Sequence, residues 1–154
     1  MQFSTSVLAS LLSISSMASA RILGISLPKQ VAAGQNFTAF INTLQSIDIQ
    51  STTDVAITFG AAPAEYALQK TLGTQLLGQK ALGPELSNIQ TNISIPLTVP
   101  ESFQQGETVV TAALFSLSGS RYSGVINYFN VTVNVASVTD ASEFVSSTGS
   151  IIVY

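Results

Sequence analysis

Glu101 and Glu107 are the acidic residues best placed for shared acid–base chemistry, because Pro100 and Gly106 between them mark a chain reversal that can bring them together. A glycosidase needs two such groups about 5 to 9.5 Å apart in a cleft that shifts one pKa. On the edge of a small β-domain the pair reads instead as two solvated rim carboxylates. Asp48 and Asp54 bracket a Ser/Thr-rich turn and could serve a loop calcium site with help from carbonyls, but no D-x-D clustering supports one.

Two further stretches imitate catalytic motifs. Gly73 to Lys80 (GTQLLGQK) has the glycine spacing of a phosphate-binding loop, with an extra Gln79 before the Lys and Ala81 where a magnesium-binding hydroxyl belongs. Ser26-Leu27-Pro28-Lys29 fits S-x-x-K, a motif that needs a helix to bring Lys onto Ser, and Pro28 forbids one. Neither carries chemistry. The wider composition points the same way: with no His and no Cys there is no His-based triad, no thiolate, no disulfide and no ordinary zinc, copper, haem or iron–sulfur site. No cofactor and no metal site is expected. A net charge of −3, with charged residues at 8%, leaves no basic stripe for nucleic acid.

What remains favours binding over catalysis. Ser118 to Gly124 presents Arg121 beside Tyr122, two residue types enriched at binding hot spots, on a loop between two strong strands. The segment 61–88 is long and lacks alternation, and Leu72-Gly73, Leu77-Gly78 and Leu82-Gly83 recur in it at spacing five, which predicts successive turns with Leu anchors tucked against the core. Leu76, Leu77 and Lys80 join Arg121 and Tyr122 as the candidate partner-binding residues. Three N-glycosylation sequons begin at Asn36, Asn92 and Asn130, and each Asn falls on the more polar face of its predicted strand.

The elements that must position these residues are strands. Period-two alternation recurs in 35–43, in 53–60, where Val55, Ile57 and Phe59 oppose Asp54, Ala56 and Thr58, in 89–99, and in 125–135, where Asn127 is the one polar member of the inward set. Phe40 breaks the first pattern. Val109 to Leu117 is apolar at both parities, as a central strand buried on both sides or a strand crossing the core would be. Leu27-Pro28 before Gly34, echoed by Val99-Pro100 before Gly106, predicts two hairpins. Together these predict an all-β, single-domain antiparallel Ig-like β-sandwich of six to eight strands without disulfides.

Residues 1–20 read as a secretory signal, with a short apolar run from Val7 to Met17 and small residues Ala18-Ser19-Ala20 at the cleavage positions, so that cleavage between Ala20 and Arg21 starts the mature chain. No transmembrane segment remains after it. The folded body then spans 21–136, and a Ser/Thr-rich tail, 137–154, is expected to be poorly ordered, with Ile151 to Tyr154 as a possible edge strand.

Several ordered blocks resemble a known family. Asp54-Val-Ala-Ile-Thr-Phe-Gly60, Leu82-Gly-Pro-Glu-Leu-Ser-Asn-Ile89, Val109-Val-Thr-Ala-Ala-Leu-Phe-Ser-Leu117 and Asn130-Val-Thr-Val-Asn-Val135, with the opening Ala20-Arg-Ile-Leu-Gly-Ile-Ser-Leu-Pro28, are similar to the fungal necrosis-inducing secreted proteins. The resemblance covers about residues 20–136 and implies a secreted, non-enzymatic fungal effector that provokes plant cell death and suppresses pattern-triggered immunity. It also implies the partners: host plant receptor-like kinases and their associated cytoplasmic kinases. It carries no catalytic residues. The competing expectation is a structural or carbohydrate-binding module of the fungal wall, for which a chain with no Trp and four Tyr is poorly equipped.

Overall fold

A computed structural model describes residues 19–46 and 52–154; the apolar run of the signal and Asp48 lie outside the described residues. Nine strands account for most of the described chain: β1 (Ser19–Ala32), β2 (Asn36–Ser46), β3 (Thr52–Pro63), β4 (Gln75–Ala81), β5 (Ile93–Thr98), β6 (Gly106–Ser118), β7 (Ser123–Ala136), β8 (Asp140–Ser146) and β9 (Ile151–Val153). A single 3-10 turn at Ala64–Tyr66 follows Pro63, and a four-residue helix α1 (Gly83–Leu86) precedes β5. None of the described helices is long and apolar enough to cross a membrane.

The alternation in the sequence becomes the inside and outside of these strands. In β5, Ile93, Ile95 and Leu97 are buried while Ser94 and Pro96 face water. Val125, Asn127, Phe129, Val131, Val133 and Val135 of β7 are buried in turn, and Phe37, Ala39 and Ile41 of β2 join one core with Ile57, Phe59 and Ala61 of β3. Burying about twenty such side chains at 1.5–3 kcal/mol each is what organises the chain in the absence of disulfides.

The all-β expectation holds, and the strands form one sheet in the order β4-β3-β6-β7-β1-β2-β5, with β8 added on β1 and β9 on β7. The expected Ig-like sandwich has two separate sheets; here β1 joins the halves. Its first part pairs antiparallel with β2, and its end, Gln30–Ala32, pairs parallel with Asn134–Ala136 of β7. The outer strands of the path come together again, since a Cβ added at Gly78 of β4 would meet Leu97 Cδ2 of β5 at 3.0 Å. The sheet is therefore nearly closed, like a barrel, and a nearly closed sheet leaves little free edge.

Four sequence expectations change. A bulge between Asp54 and Ala56 inserts Val55 as an extra residue in β3, so Asp54 turns inward opposite Ser116 and Val55 is left half-buried. The bulge's backbone is satisfied by the α1 region: Leu82 N–H donates to the Val55 carbonyl at 2.9 Å, and Asp54 N–H donates to Ser87 Oγ at 2.8 Å. β6 buries Val110, Ala112 and Leu114 on one face, while the other face is only partly covered, with Thr111 buried and Phe115 40% exposed. Of the two expected hairpins, the first forms at Gly34 (φ +76°), though β1 runs on through Pro28; the second is a crossover, because β5 and β6 are not neighbours. The two Pro-to-Gly turns instead lie side by side, with Gly34 N–H donating to the Val99 carbonyl at 2.7 Å.

The fourth change concerns the tail, which supplies β8 and β9. β8 lies antiparallel on β1, with Leu27 opposite Val145 and Pro28 opposite Phe144. Its Phe144 ring sits 5.5 Å from Phe40, the residue that breaks the β2 pattern, so the odd aromatic on the outer face has a partner. β9 pairs with β7 at Ile126–Tyr128, giving the edge strand expected there.

Candidate functional site

The 118–124 loop is the tip of the β6–β7 hairpin, closed where Ser118 faces Ser123. Gly119 takes φ +74° and Tyr122 φ +53°, and Tyr122 N–H donates back to the Gly119 carbonyl at 3.1 Å, so four residues reverse the chain. The reversal throws Arg121 and Tyr122 outward; Tyr122 is 68% exposed. A non-glycine residue in the left-handed region is uncommon and costs on the order of 1 kcal/mol, which marks Tyr122 as held there against local preference. Beneath the tip, the Phe115 ring covers Gly124, where an added Cβ would meet Phe115 Cε2 at 3.1 Å. The sequence pattern puts Phe115 in the core; nothing in a run apolar at both parities distinguishes the one position that stays wet.

The other candidate residues lie elsewhere. Leu76 and Lys80 belong to β4, where Leu76 pairs with Gly60, itself opposite Thr111, and Lys80 pairs with Ile57, opposite Leu114. At about 3.4 Å per residue and 4.8 Å per strand, Lys80 is about 20 Å from the hairpin tip and Leu76 about 29 Å. Only Leu76 is largely exposed: Leu77 packs against the core, and Lys80 shares a face with buried Ile57 and is half-buried. The β4 residues and the Arg121–Tyr122 tip are thus two separate surface features. Of the pentad leucines, Leu82 is buried in the core and Leu77 packs on it, while Gly73 (φ +86°) and Gly83 (φ +55°) make turns. Leu77-Gly78 does not turn but lies inside β4.

All three sequon asparagines are exposed. Asn36 Oδ1 accepts from Thr98 Oγ1, and Asn92 Oδ1 accepts from Thr43 N–H at 3.2 Å. Both therefore spend the carbonyl side of the amide on the protein and leave Nδ2, the atom that carries a glycan, for solvent. Asn130 stands on the outer face of β7 opposite Thr111.

The Glu101–Glu107 pair makes no catalytic cleft. Glu101 is exposed in a turn against Gly34, and Glu107 is exposed on β6 opposite Asn134, so neither is desolvated. Asp54 is the buried carboxylate among the described residues, and the sequence misses it because the bulge that turns it inward is a backbone decision. Its Oδ1 accepts from Ser116 Oγ at 2.6 Å, and it takes a further hydrogen bond from the Ile22 N–H. Burial pushes its pKa up, while the Ser116 hydroxyl, the nearby Arg21 charge and the Ile22 amide pull it down. No cluster of three or more His, Cys, Asp or Glu able to hold a metal occurs among the described residues.

The chain matches the Nis1 family over residues 18–134. It is 51% identical to Necrosis-inducing secreted protein 1 of Colletotrichum orbiculare over 142 residues, 92% of this chain and 85% of that one. It is 42% identical to Necrosis-inducing secreted protein 1 of Colletotrichum higginsianum, over 90% and 94% of the two chains. Among solved structures, a superoxide reductase (neelaredoxin) from Ignicoccus hospitalis aligns with TM-score 0.44 and 12% identity over 77% of this chain and 80% of that one. At that level the two need share neither topology nor chemistry. With a family match across most of its length and relatives at these identities, the chain belongs to the Nis1 family.

Proposed function

We propose that this protein is a secreted effector that works by holding a host protein, not by catalysis: it induces plant cell death and dampens immune signalling by binding receptor-like kinases and their cytoplasmic partner kinases. The observation that carries the reading is the identity, 51% and 42% over nearly the full chain, to proteins named for necrosis induction and secretion. The chain is secreted, as they are. The residues agree with a binding role: there is no His or Cys, the buried carboxylate is tied up by Ser116 and Ile22, and the best contact side chains, Arg121 and Tyr122, project from a hairpin tip. Arg and Tyr serve recognition well, since they bring a forked cation and a rigid amphipathic ring at modest entropic cost.

Affinity capture from plant membrane extract with folded Arg21–Tyr154, against denatured protein as control, tests the reading by mass spectrometry. Enrichment of receptor-like kinases, reduced when Arg121 and Tyr122 are changed together, is the expected result. Retention by chitin, β-glucan or the fungal wall with no plant protein enriched overturns it in favour of a wall module. Normal kinase capture by the double variant removes the hairpin tip from the interface.

A further inference from the structure

Asp54 is 3% exposed and lies at the wall of a cavity of about 120 Å³ between the start of β1 and strands β3, β6 and β7. Arg21, Ile22, Ser116 and Asn127 share that wall, and Asn127 is itself only 7% exposed. A carboxylate withdrawn from water this far is costly unless it is hydrogen-bonded and faces a cation. Two hydrogen bonds are in place, from Ser116 Oγ and from the Ile22 N–H. The charge facing Asp54 comes from β1, as Arg21, while β6 and β7 present the uncharged Ser116 and Asn127.

The Ile22 nitrogen is one peptide unit from the nitrogen of Arg21, the residue that becomes first if the signal is cut after Ala20. We propose that this cut completes the Asp54 site: the α-ammonium released on Arg21 becomes an ionic partner of the Asp54 carboxylate and fastens the start of β1 to β3 and β6. Hydrolysis of the Ala20–Arg21 bond by a signal peptidase consumes one water, leaves a carboxylate on the departing leader and yields the ammonium on Arg21. Before the cut the same nitrogen is a neutral amide. Because Ile22 N–H already touches the carboxylate, the new charge arises within about 6 Å of it, inside the range at which opposite charges stabilise one another. Secretion then brings with it a new electrostatic tie at the start of β1. The inference rests on the expected cleavage position and not on the effector reading, so the capture experiment has no bearing on it.

Three measurements test it. In a chain that begins at Arg21, the α-amino group, followed through 13C-methyl signals after reductive methylation, is expected to titrate about one unit above its ordinary 7.7–8.0 and to return there in Asp54→Asn. An ordinary value with Asp54 present, or an equal rise in Asp54→Asn, overturns the proposal. A chain with Gly-Ser ahead of Arg21 moves the ammonium two residues away and is expected to melt several degrees lower at pH 6, a difference that vanishes above pH 10. Equal melting at pH 6 overturns the proposal without recourse to the Asp54 variant. Terminal sequencing of the secreted protein must return Arg21; any other first residue overturns the processing step, whatever the titration shows.

Discussion

Ser116→Ala is the sharpest probe of how the β3 bulge is held. Ser116 is 2% exposed and donates to Asp54 Oδ1 at 2.6 Å. A hydrogen bond to a buried charged group contributes about 2 kcal/mol, and its loss leaves the carboxylate short of a donor in a dry site. Burial already holds the Asp54 carboxyl above the usual carboxylate range, so the folded state binds its proton more tightly than the unfolded chain does. Stability from this group therefore falls as pH rises from the ordinary Asp value through the folded pKa, and stays reduced above it. Removing the Ser116 hydroxyl raises the folded pKa further and deepens that fall. The variant should lose about 2 kcal/mol at pH 7, or about 6 to 8 °C in Tm for a domain of this size, and much less near pH 3, where the carboxyl is protonated in both states. Differential scanning calorimetry at both pH values, repeated with Asp54→Asn, gives the double-mutant cycle. In the Asp54→Asn background, Ser116→Ala should cost under about 1 kcal/mol. A penalty that is the same at both pH values, or the same in both backgrounds, refutes the carboxylate as its source.

Gly60→Ala should be among the most damaging single changes in β3, because a Cβ there collides with the Leu72 carbonyl oxygen and backbone cannot rotate aside; urea unfolding should show a loss of about 2 kcal/mol or more, and tolerance would mean the 67–74 segment does not cross the strand so closely. Tyr122→Gly suits the φ of +53° and should stabilise the hairpin slightly while weakening kinase capture; unchanged capture would deny Tyr122 a contact role. Thr38→Ala, Ser94→Ala and Thr132→Ala each break one sequon without touching its Asn, and each should lower the mass of the secreted protein by one glycan with little change in Tm. An unchanged mass would show that sequon to be unused.

Much of the fold was legible because alternation is a local signal. Ile93, Ile95 and Leu97, or Val125 through Val135, declare their faces from the period alone, and the strands they define are those observed. What escaped is set by distant contacts. Val55 and Asp54 exchange roles through one inserted residue, and the signal for it lies in Leu82 and Ser87, which satisfy the bulge from 27 to 33 positions away. β4 has Gly78 in its middle, a residue that argues against a strand until Leu97 is seen packing over it. β8 carries two Ser, an Asp and a Glu among its seven residues and is weakly apolar, so its strand character comes from the β1 edge it covers. The candidate site divides in the same way: Arg121 and Tyr122 stand out as a turn between two strong strands, whereas the separation of Leu76 and Lys80 from them depends on register, which no short motif records.

The last eighteen residues offer the plainest test of that nonlocal reasoning, since their composition suggests a spacer and their contacts say otherwise. Ile25 and Ala32 are both 0% exposed, and much of what satisfies this stretch of β1 comes from the tail. Ser147 N–H donates to the Ile25 carbonyl at 2.9 Å, Ile25 N–H donates to Ser147 Oγ at 3.0 Å, and Ala32 N–H donates to Thr139 Oγ1 at 2.9 Å. Ser26 and Ser146 share a hydroxyl contact of 2.6 Å, and Val145 packs against the core. Gly24 is where this crossing comes closest, because a Cβ there would strike Ser147 Oγ. At about 1 kcal/mol net per hydrogen bond, with about 1 kcal/mol more for Val145, ending the chain at Ala136 should cost about 5 kcal/mol, a large share of a marginal total. Ser147→Ala alone removes the acceptor of Ile25 N–H and should cost about 1 kcal/mol. The truncated chain should melt more than about 10 °C below the full one and show faster amide exchange along β1. Equal melting would return the segment to the role of a spacer and leave Phe40 without a reason to be aromatic.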